Sequence, residues 1–312
     1  MKALTAGSSS IRTQRMITFK RQTPLMLMVL PGVALFILFN YLPMLGIFLA
    51  FKNYNYSLGM FGSEWVGLKN FEVFFNNPDA WLITRNTVLY NFGFLVLNTI
   101  TSIVVSILLV EVTSKLASKI YQTISLLPHF LSFVIVGYLV FAFLSTENGV
   151  INGILKSMGL NEISWYSEPK YWPYILTIVN LWKHLGYNCI VYLAAISGIN
   201  YEYYEAAFMD GAGKFKQMIY ITLPCLKPTI IILTIMNLGH IFSGDFGLFY
   251  QVPMNSGLLA STTSVLSTYV YKIRNDVGMG TAVGLYQSLV GLILVLISNH
   301  VVKKISPELA LY

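Results

Sequence analysis

Tyr201-Glu-Tyr-Tyr-Glu205-Ala-Ala-Phe-Met-Asp210-Gly-Ala-Gly-Lys-Phe-Lys-Gln-Met-Ile-Tyr-Ile-Thr-Leu223-Pro224-Cys-Leu-Lys-Pro228 is a polar island between two long apolar runs. Its own chemistry predicts two short helices. Glu202 and Glu205 suit the N-terminal end of the first, where the helix dipole favours negative charge. Ala206 and Ala207 are strong helix formers with almost no bulk. Gly211 and Gly213 end it, because glycine readily takes the positive φ that closes a helix. A second amphipathic piece, Phe215–Leu223, stops at Pro224. Two short helices joined at glycines make a compact knuckle whose small residues let a partner surface approach closely.

Working outward, the flanking runs are Tyr171–Ile199, interrupted by Lys183 and His184, and Pro228–Phe246. Four more are long enough to cross a hydrocarbon core of about 30 Å. They are Leu25–Ala50 with Pro31 and Pro43 inside it, Thr87–Val110 between Arg85 and Glu111, Ile120–Leu144 between Lys119 and Glu147, and Met279–Val302 closed by Lys303 and Lys304. Composition agrees: 55% of the 312 residues are hydrophobic and 11% charged, with a mean hydropathy of +0.65. A soluble domain carries about twice that charge, and a transmembrane barrel shows short alternating strands instead of continuous runs. The expected fold is an all-α polytopic membrane protein with six transmembrane helices. The uncharged stretch Gly247–Tyr271 contains Pro253, Asn255, Ser256 and Gly257. That turn chemistry argues against a full span and for a re-entrant or outward-lying segment. The loops Lys52–Arg85 and Ser145–Lys170 are rich in Gly, Asn, Pro, Trp and Tyr, and Val150–Leu160 reads as a short surface helix.

An even number of spans puts both termini on one side, and the positive-inside rule selects the cytoplasm. That choice places Lys2, Arg12, Arg15, Lys20, Arg21, Lys115, Lys119, Lys214, Lys216, Lys227, Lys303 and Lys304 inside. The outside segments hold Lys52, Lys69, Arg85, Lys156, Lys170, Lys272 and Arg274, of which the last pair weakens the bias, and most of the acids: Glu64, Glu72, Asp79, Glu147, Glu162, Glu168 and Asp276. The net charge of +7 is thus a topology signal and implies no nucleic-acid partner. The basic N-terminus precedes a run too long for a signal-peptide core, which reads as a retained first span. Cys189 and Cys225 give no disulfide framework.

Glu205-Ala206-Ala207, then Gly211 after three more residues, then Ile221-x-Leu223-Pro224 resembles the EAA loop of bacterial ABC importer permeases, and Asp210 and Ala212 extend the match. Further stretches are similar to the oligosaccharide-type, LplB-like permeases of the maltose-permease superfamily. They are Tyr41-Leu-Pro-Met-Leu-Gly46, Ala50-Phe-Lys-Asn-Tyr54, Trp65-Val-Gly-Leu-Lys-Asn-Phe71, Leu127-Pro-His-Phe130, Trp182-Lys183-x-x-Gly186, Thr268-Tyr-Val-Tyr271 and Gly284-Leu-Tyr-Gln-Ser-Leu-Val-Gly291. Asp245-Phe-Gly-Leu-Phe-Tyr-Gln251 departs from that pattern and leaves the sugar's identity open. The resemblance implies the transmembrane domain of a type I ABC importer: a basic cytoplasmic segment at 1–24, a permease domain at 25–304 with its coupling loop at 200–228, and a cytoplasmic tail at 305–312. It implies as partners a second six-span permease, a cytoplasmic ABC ATPase dimer and an extracellular solute-binding lipoprotein, in a bacterial cell membrane. Glu205, Ala206, Ala207, Asp210, Gly211, Ala212, Gly213, Leu223 and Pro224 are the expected ATPase-coupling residues. No G-x-x-x-x-G-K-[ST] phosphate loop is present, so ATP and Mg are expected on the partner and no cofactor or catalytic residue in this chain.

Polar groups at bilayer depth face a cavity or a partner. Asn180, His184 and Tyr187 share one helical face by spacing, with Lys183 and Asn188 on its flanks. Asn237 and His240 recur similarly, followed by Asp245 and Phe246; Asn91, Asn98, His129 and Ser132 add to the set. Amides, imidazoles and aromatic faces suit a neutral sugar, and interhelical hydrogen bonding explains the same residues equally well. For Lys183 the competing reading is a pair with an acid of the partner permease or with backbone carbonyls of a gate. His129, after Pro128, reads as structural. His184 and His240 alone, without acids or thiols, make no metal site. Trp65, Trp81, Trp165, Tyr166, Tyr171 and Trp172 form an interfacial belt, or in part receive the binding protein. An ion-coupled secondary transporter or channel needs acids in the spans or inverted repeats, and a non-sugar ABC cargo remains the alternative within the class.

Overall fold

The computed structural model describes residues 22–305 and 307–309. The expected segment 1–24 therefore lies outside the described residues but for 22–24, and the expected tail is described only at 305 and 307–309. Among the described residues, four helices are long and apolar enough to cross a membrane, and a fifth span arises if one bent pair counts as one.

Helix α1 (Gln22–Phe51) rests only its last turns, Leu42–Phe51, on the final long helix of the chain. Its side chains are exposed on every face, and only Ala50, near its end, is buried. Pro43 has no N–H and crowds the carbonyl four residues back, and the backbone answers with a wide turn at Ile37–Tyr41 and a tight one at Leu42–Phe51. A two-stranded antiparallel hairpin follows, β1 (Lys52–Asn53) on β2 (Glu64–Trp65), then α2 (Lys69–Phe75).

Helix α3 (Pro78–Val110) begins before the expected Thr87, because Asn77 caps it by accepting from Asp79 N and Pro78 suits its first turn. The expected span Ile120–Leu144 is not one helix. It is α4 (Lys115–Phe130) and α5 (Phe133–Leu144), bent by 100° at the break. Pro128 weakens the last turn of α4 by withholding an N–H, Leu131 turns extended, and Ser132 caps the new helix by accepting from Ile135 N. Val150–Ser157 is the short surface helix α6.

Helix α7 (Trp172–Ser197) packs along α3 through small polar residues: Ser106 Oγ donates to Ser102 O (2.6 Å) and stands 2.9 Å from Cys189 O. After α8 (Glu202–Met209), helix α9 runs without interruption from Lys214 to Leu238. The expected stop at Pro224 and restart at Pro228 are not there. A wide turn at Met218–Thr222 absorbs the clash of Pro224, and the span ends at Leu238 instead of Phe246. There α9 crosses α12 (Val277–Ile305) at two glycines, since a Cβ on Gly291 would stand 2.6 Å from Gly239 O.

Residues 246–276, which hold the stretch Gly247–Tyr271 expected to be re-entrant or outward-lying, form no membrane-length helix. They fold as α10 (Phe246–Gln251), a turn at 257–263 and α11 (Leu266–Lys272), packed into the end of the bundle. Leu248, Val252, Leu259, Val265 and Leu266 have no exposed surface. With Phe94, Val136, Trp172 and Leu176 the first four build the main core, and Leu266 joins a second cluster with Phe74, Ile83 and Val283. Tyr166 donates to Val252 O (3.3 Å), and burial pushes its phenol up, keeping it a donor. The core thus sits at the end of the bundle remote from the loop at 200–228.

Candidate functional site

A groove of about 530 Å³ opens midway along the bundle between α3, α7 and α9. Helix α3 supplies Asn91 and Asn98, α7 supplies Asn180, His184, Tyr187 and Asn188, and α9 with the turn after it supplies Asn237, His240 and Asp245. The helical spacing read in the sequence therefore converges in space. Asn98 Nδ2 donates to Asn180 Oδ1 (2.8 Å), joining α3 to α7. His184 Nδ1 lies 3.0 Å from Asn180 O; a carbonyl only accepts, so neutral His184 carries its proton on Nδ1 and leaves Nε2 as an acceptor. Asn98 Oδ1 is buried without a partner. Tyr187 is held by a ring stack on His129, 4.7 Å between centroids. Asp245 spends one oxygen on the N–H of Leu248, capping α10. Phe94, Leu95, Thr99, Val191 and Tyr192 also line the wall, with Leu233 and Met236 of α9 and Ser243 and Gly244 after it; extending the Asn188 face by three and four residues reaches Val191 and Tyr192.

Two of the expected pathway residues are elsewhere. Lys183 is buried and turned away from the groove. Its Nζ donates to Leu131 O, to His129 O (3.2 Å) and to Pro128 O (3.3 Å), and sits 4.6 Å from the Phe133 ring. It caps the carbonyls where α4 breaks from α5, the backbone-carbonyl alternative of the two its sequence left open. Phe246 lines a separate hollow with Tyr271.

The loop at 200–228 forms the opposite end. Gly211 takes φ +76, and Ala212 N donates to Ala207 O (2.8 Å), closing α8. Gly213 is the extended residue before α9. Gln217 Nε2 donates to Ala212 O (3.0 Å), Tyr204 OH meets Thr222 Oγ1 (2.9 Å), and Lys214 pairs with Glu111 at the end of α3 (3.0 Å). These ties fix the knuckle to the bundle. Glu205, Ala206, Asp210, Gly211 and Pro224 are exposed, while Ala207, Ala212 and Leu223 are half-buried. Phe208 and Met209, at 72% and 83% exposed, add an apolar face that the motif did not announce.

Residues 98–307 match the family described as the binding-protein-dependent transport system inner membrane component. The chain belongs to this family. The binding-protein-dependent permease is 37% identical over 308 residues to Protein LplB of Bacillus subtilis (strain 168), covering 98% of this chain and 95% of the relative. It is 36% identical over 300 residues to the polygalacturonan/rhamnogalacturonan transport system permease protein YteP of the same organism, covering 95% and 93%. It superposes with a TM-score of 0.84 and 34% identity on a chain of the bacterial alginate ABC transporter, solved in complex with alginate pentasaccharide-bound periplasmic protein, covering 93% of this chain and 97% of that one. The permease is thus an inner-membrane transport subunit of the LplB-like kind.

Proposed function

We propose that the permease forms one half of an ATP-driven import pathway for an oligosaccharide delivered by an extracellular binding protein. The observation that carries the cargo reading is the mid-bundle groove, whose amides, imidazoles and tyrosines are the groups that exchange hydrogen bonds with hydroxyls and pack against pyranose rings. Among the described residues no Lys or Arg lines it, which suits recognition of hydroxyls in this reading. The names of YteP and the alginate transporter favour a glycan cargo.

In this reading α7, 26 residues long and so about 39 Å, is a sixth span whose polar face lines the pathway, and both termini are cytoplasmic. A second six-span permease faces the groove. An ATPase dimer carrying ATP and Mg docks on α8, where Glu205 and Asp210 meet basic partner residues and Gly211 permits close backbone contact. The test is a glycan panel against the cognate binding protein, followed by uptake of its best ligand into proteoliposomes holding the whole complex. Uptake is expected to vanish with a Walker-lysine mutation in the ATPase and with Gly211→Asp here, and to ignore ionophores. Wild-type uptake in the Gly211→Asp complex would sink the docking assignment, and ionophore-sensitive, ATP-independent uptake would sink the ABC mechanism.

A further inference from the structure

The hollow that holds Phe246 lies at the core end of the bundle, has a volume of about 520 Å³ and is distinct from the groove. Phe246 and Tyr250 stack at 4.8 Å with 20° between their planes, and Tyr271 closes on both at 4.9 and 5.1 Å. The guanidinium of Arg274 lies 5.0 Å from the Tyr271 ring and has no ion-pair partner among the described residues. Ser267 also lines the hollow, and its Oγ is buried without a hydrogen-bond partner. One Asp276 oxygen caps α12 by accepting from Met279 N (2.9 Å), leaving the other for a ligand.

The hollow adjoins the groove. Gly244 and Asp245 line one, Phe246 lines the other, and a Cβ on Gly244 would stand 3.1 Å from Ser267 Oγ. The wall between them is a single turn of chain. Here three rings pack on one another beside a paired donor set, at the mouth of a polar groove. The electron-rich face of such rings attracts the C–H face of a pyranose, and a guanidinium presents a fork of donors to vicinal hydroxyls or a carboxylate.

We propose that this hollow is a second glycan subsite, in which Tyr271 and Phe246, backed by Tyr250, face a pyranose while Arg274, Ser267 and Asp276 bind its substituents. The subsite rests on the glycan reading of the groove and adds chain-length selectivity to it. A short sugar fills the groove alone; a longer one reaches past Asp245 into the hollow.

The probes are two radiolabelled series from disaccharide to hexasaccharide, oligogalacturonides and neutral manno-oligosaccharides, taken up by proteoliposomes containing the whole transporter. Tyr271→Ala and Arg274→Ala should raise KM for the hexasaccharide roughly tenfold, the scale of one lost aromatic contact, and leave the disaccharide within about twofold. Tyr271→Phe should keep wild-type selectivity. An equal loss at every length, no change at any length, or loss of the co-purifying second permease overturns the subsite and leaves the groove reading standing. A wild-type complex that imports neither series overturns the glycan reading and the subsite with it.

Discussion

Lys183 places a full positive charge among the carbonyls of Pro128, His129 and Leu131. Those carbonyls lie at the end of α4, where the helical ladder runs out; Pro128 O also accepts from Leu131 N (3.2 Å), and the ammonium adds a hydrogen bond to each of the three. Lys183→Met is expected to lower unfolding stability in detergent by about 2–4 kcal/mol, the scale for losing hydrogen bonds to a buried charged group. Lys183→Arg, which keeps the cation, should lose less. Tryptophan fluorescence during thermal or denaturant unfolding checks both, and a Met variant as stable as wild type would remove Lys183 from this role. The sequence shows that a lysine in a span must find a partner; it left an acid and backbone carbonyls both open, because the answer depends on where another helix breaks. Phe246 teaches the same lesson. It follows Asp245 in the chain, and the turn between them sends the two side chains into different hollows.

At the scale of elements, α4 and α7 touch backbone to backbone. A Cβ on Gly186 would lie 2.1 Å from Ser125 O, a clash with main chain that no rotamer relieves. Gly186→Ala is expected to push α4 away from α7 and cost about 1–3 kcal/mol, read as a lower unfolding midpoint and weaker transport at unchanged insertion. An unshifted midpoint would show that the helices stand further apart. The caps that define these elements are local and were partly legible. Ser132 and Asn77 are N-cap residues by type, and Gly211 is a helix terminator by type. The continuous α9 was not legible, because two prolines normally end a helix and here Pro224 is absorbed by a wide turn at Met218–Thr222. Residues 246–276 look like loop by their Pro, Asn and Gly content. Their apolar side chains nevertheless fill the bundle end, which only the surrounding helices reveal.

For the whole molecule, the coupling knuckle and the core segment 246–276 occupy opposite ends of the bundle, with the polar groove between them. That arrangement turns orientation into a measurable quantity. On a Cys225→Ser background, Tyr203→Cys should react with a membrane-impermeant maleimide only from the cytoplasmic side, and Lys156→Cys only from outside; labelling of both from one side would reject the assigned topology. Helix α1 is exposed on every face from Pro24 to Leu45 and packs on α12 only through its last turns, so its first part has to find lipid or a second subunit. The sequence by itself determined the membrane class and the family. Apolar run length is set by bilayer thickness, and the loop at 201–228 uses dipole, alanine and glycine effects that act within a few residues. Only the tertiary structure decided that a span breaks at Leu131, that Lys183 serves that break, and that Asn98, Asn180, Asn237 and Asp245 share one groove. Those outcomes depend on which helix stands opposite each side chain, and residues far apart in the chain settle that together.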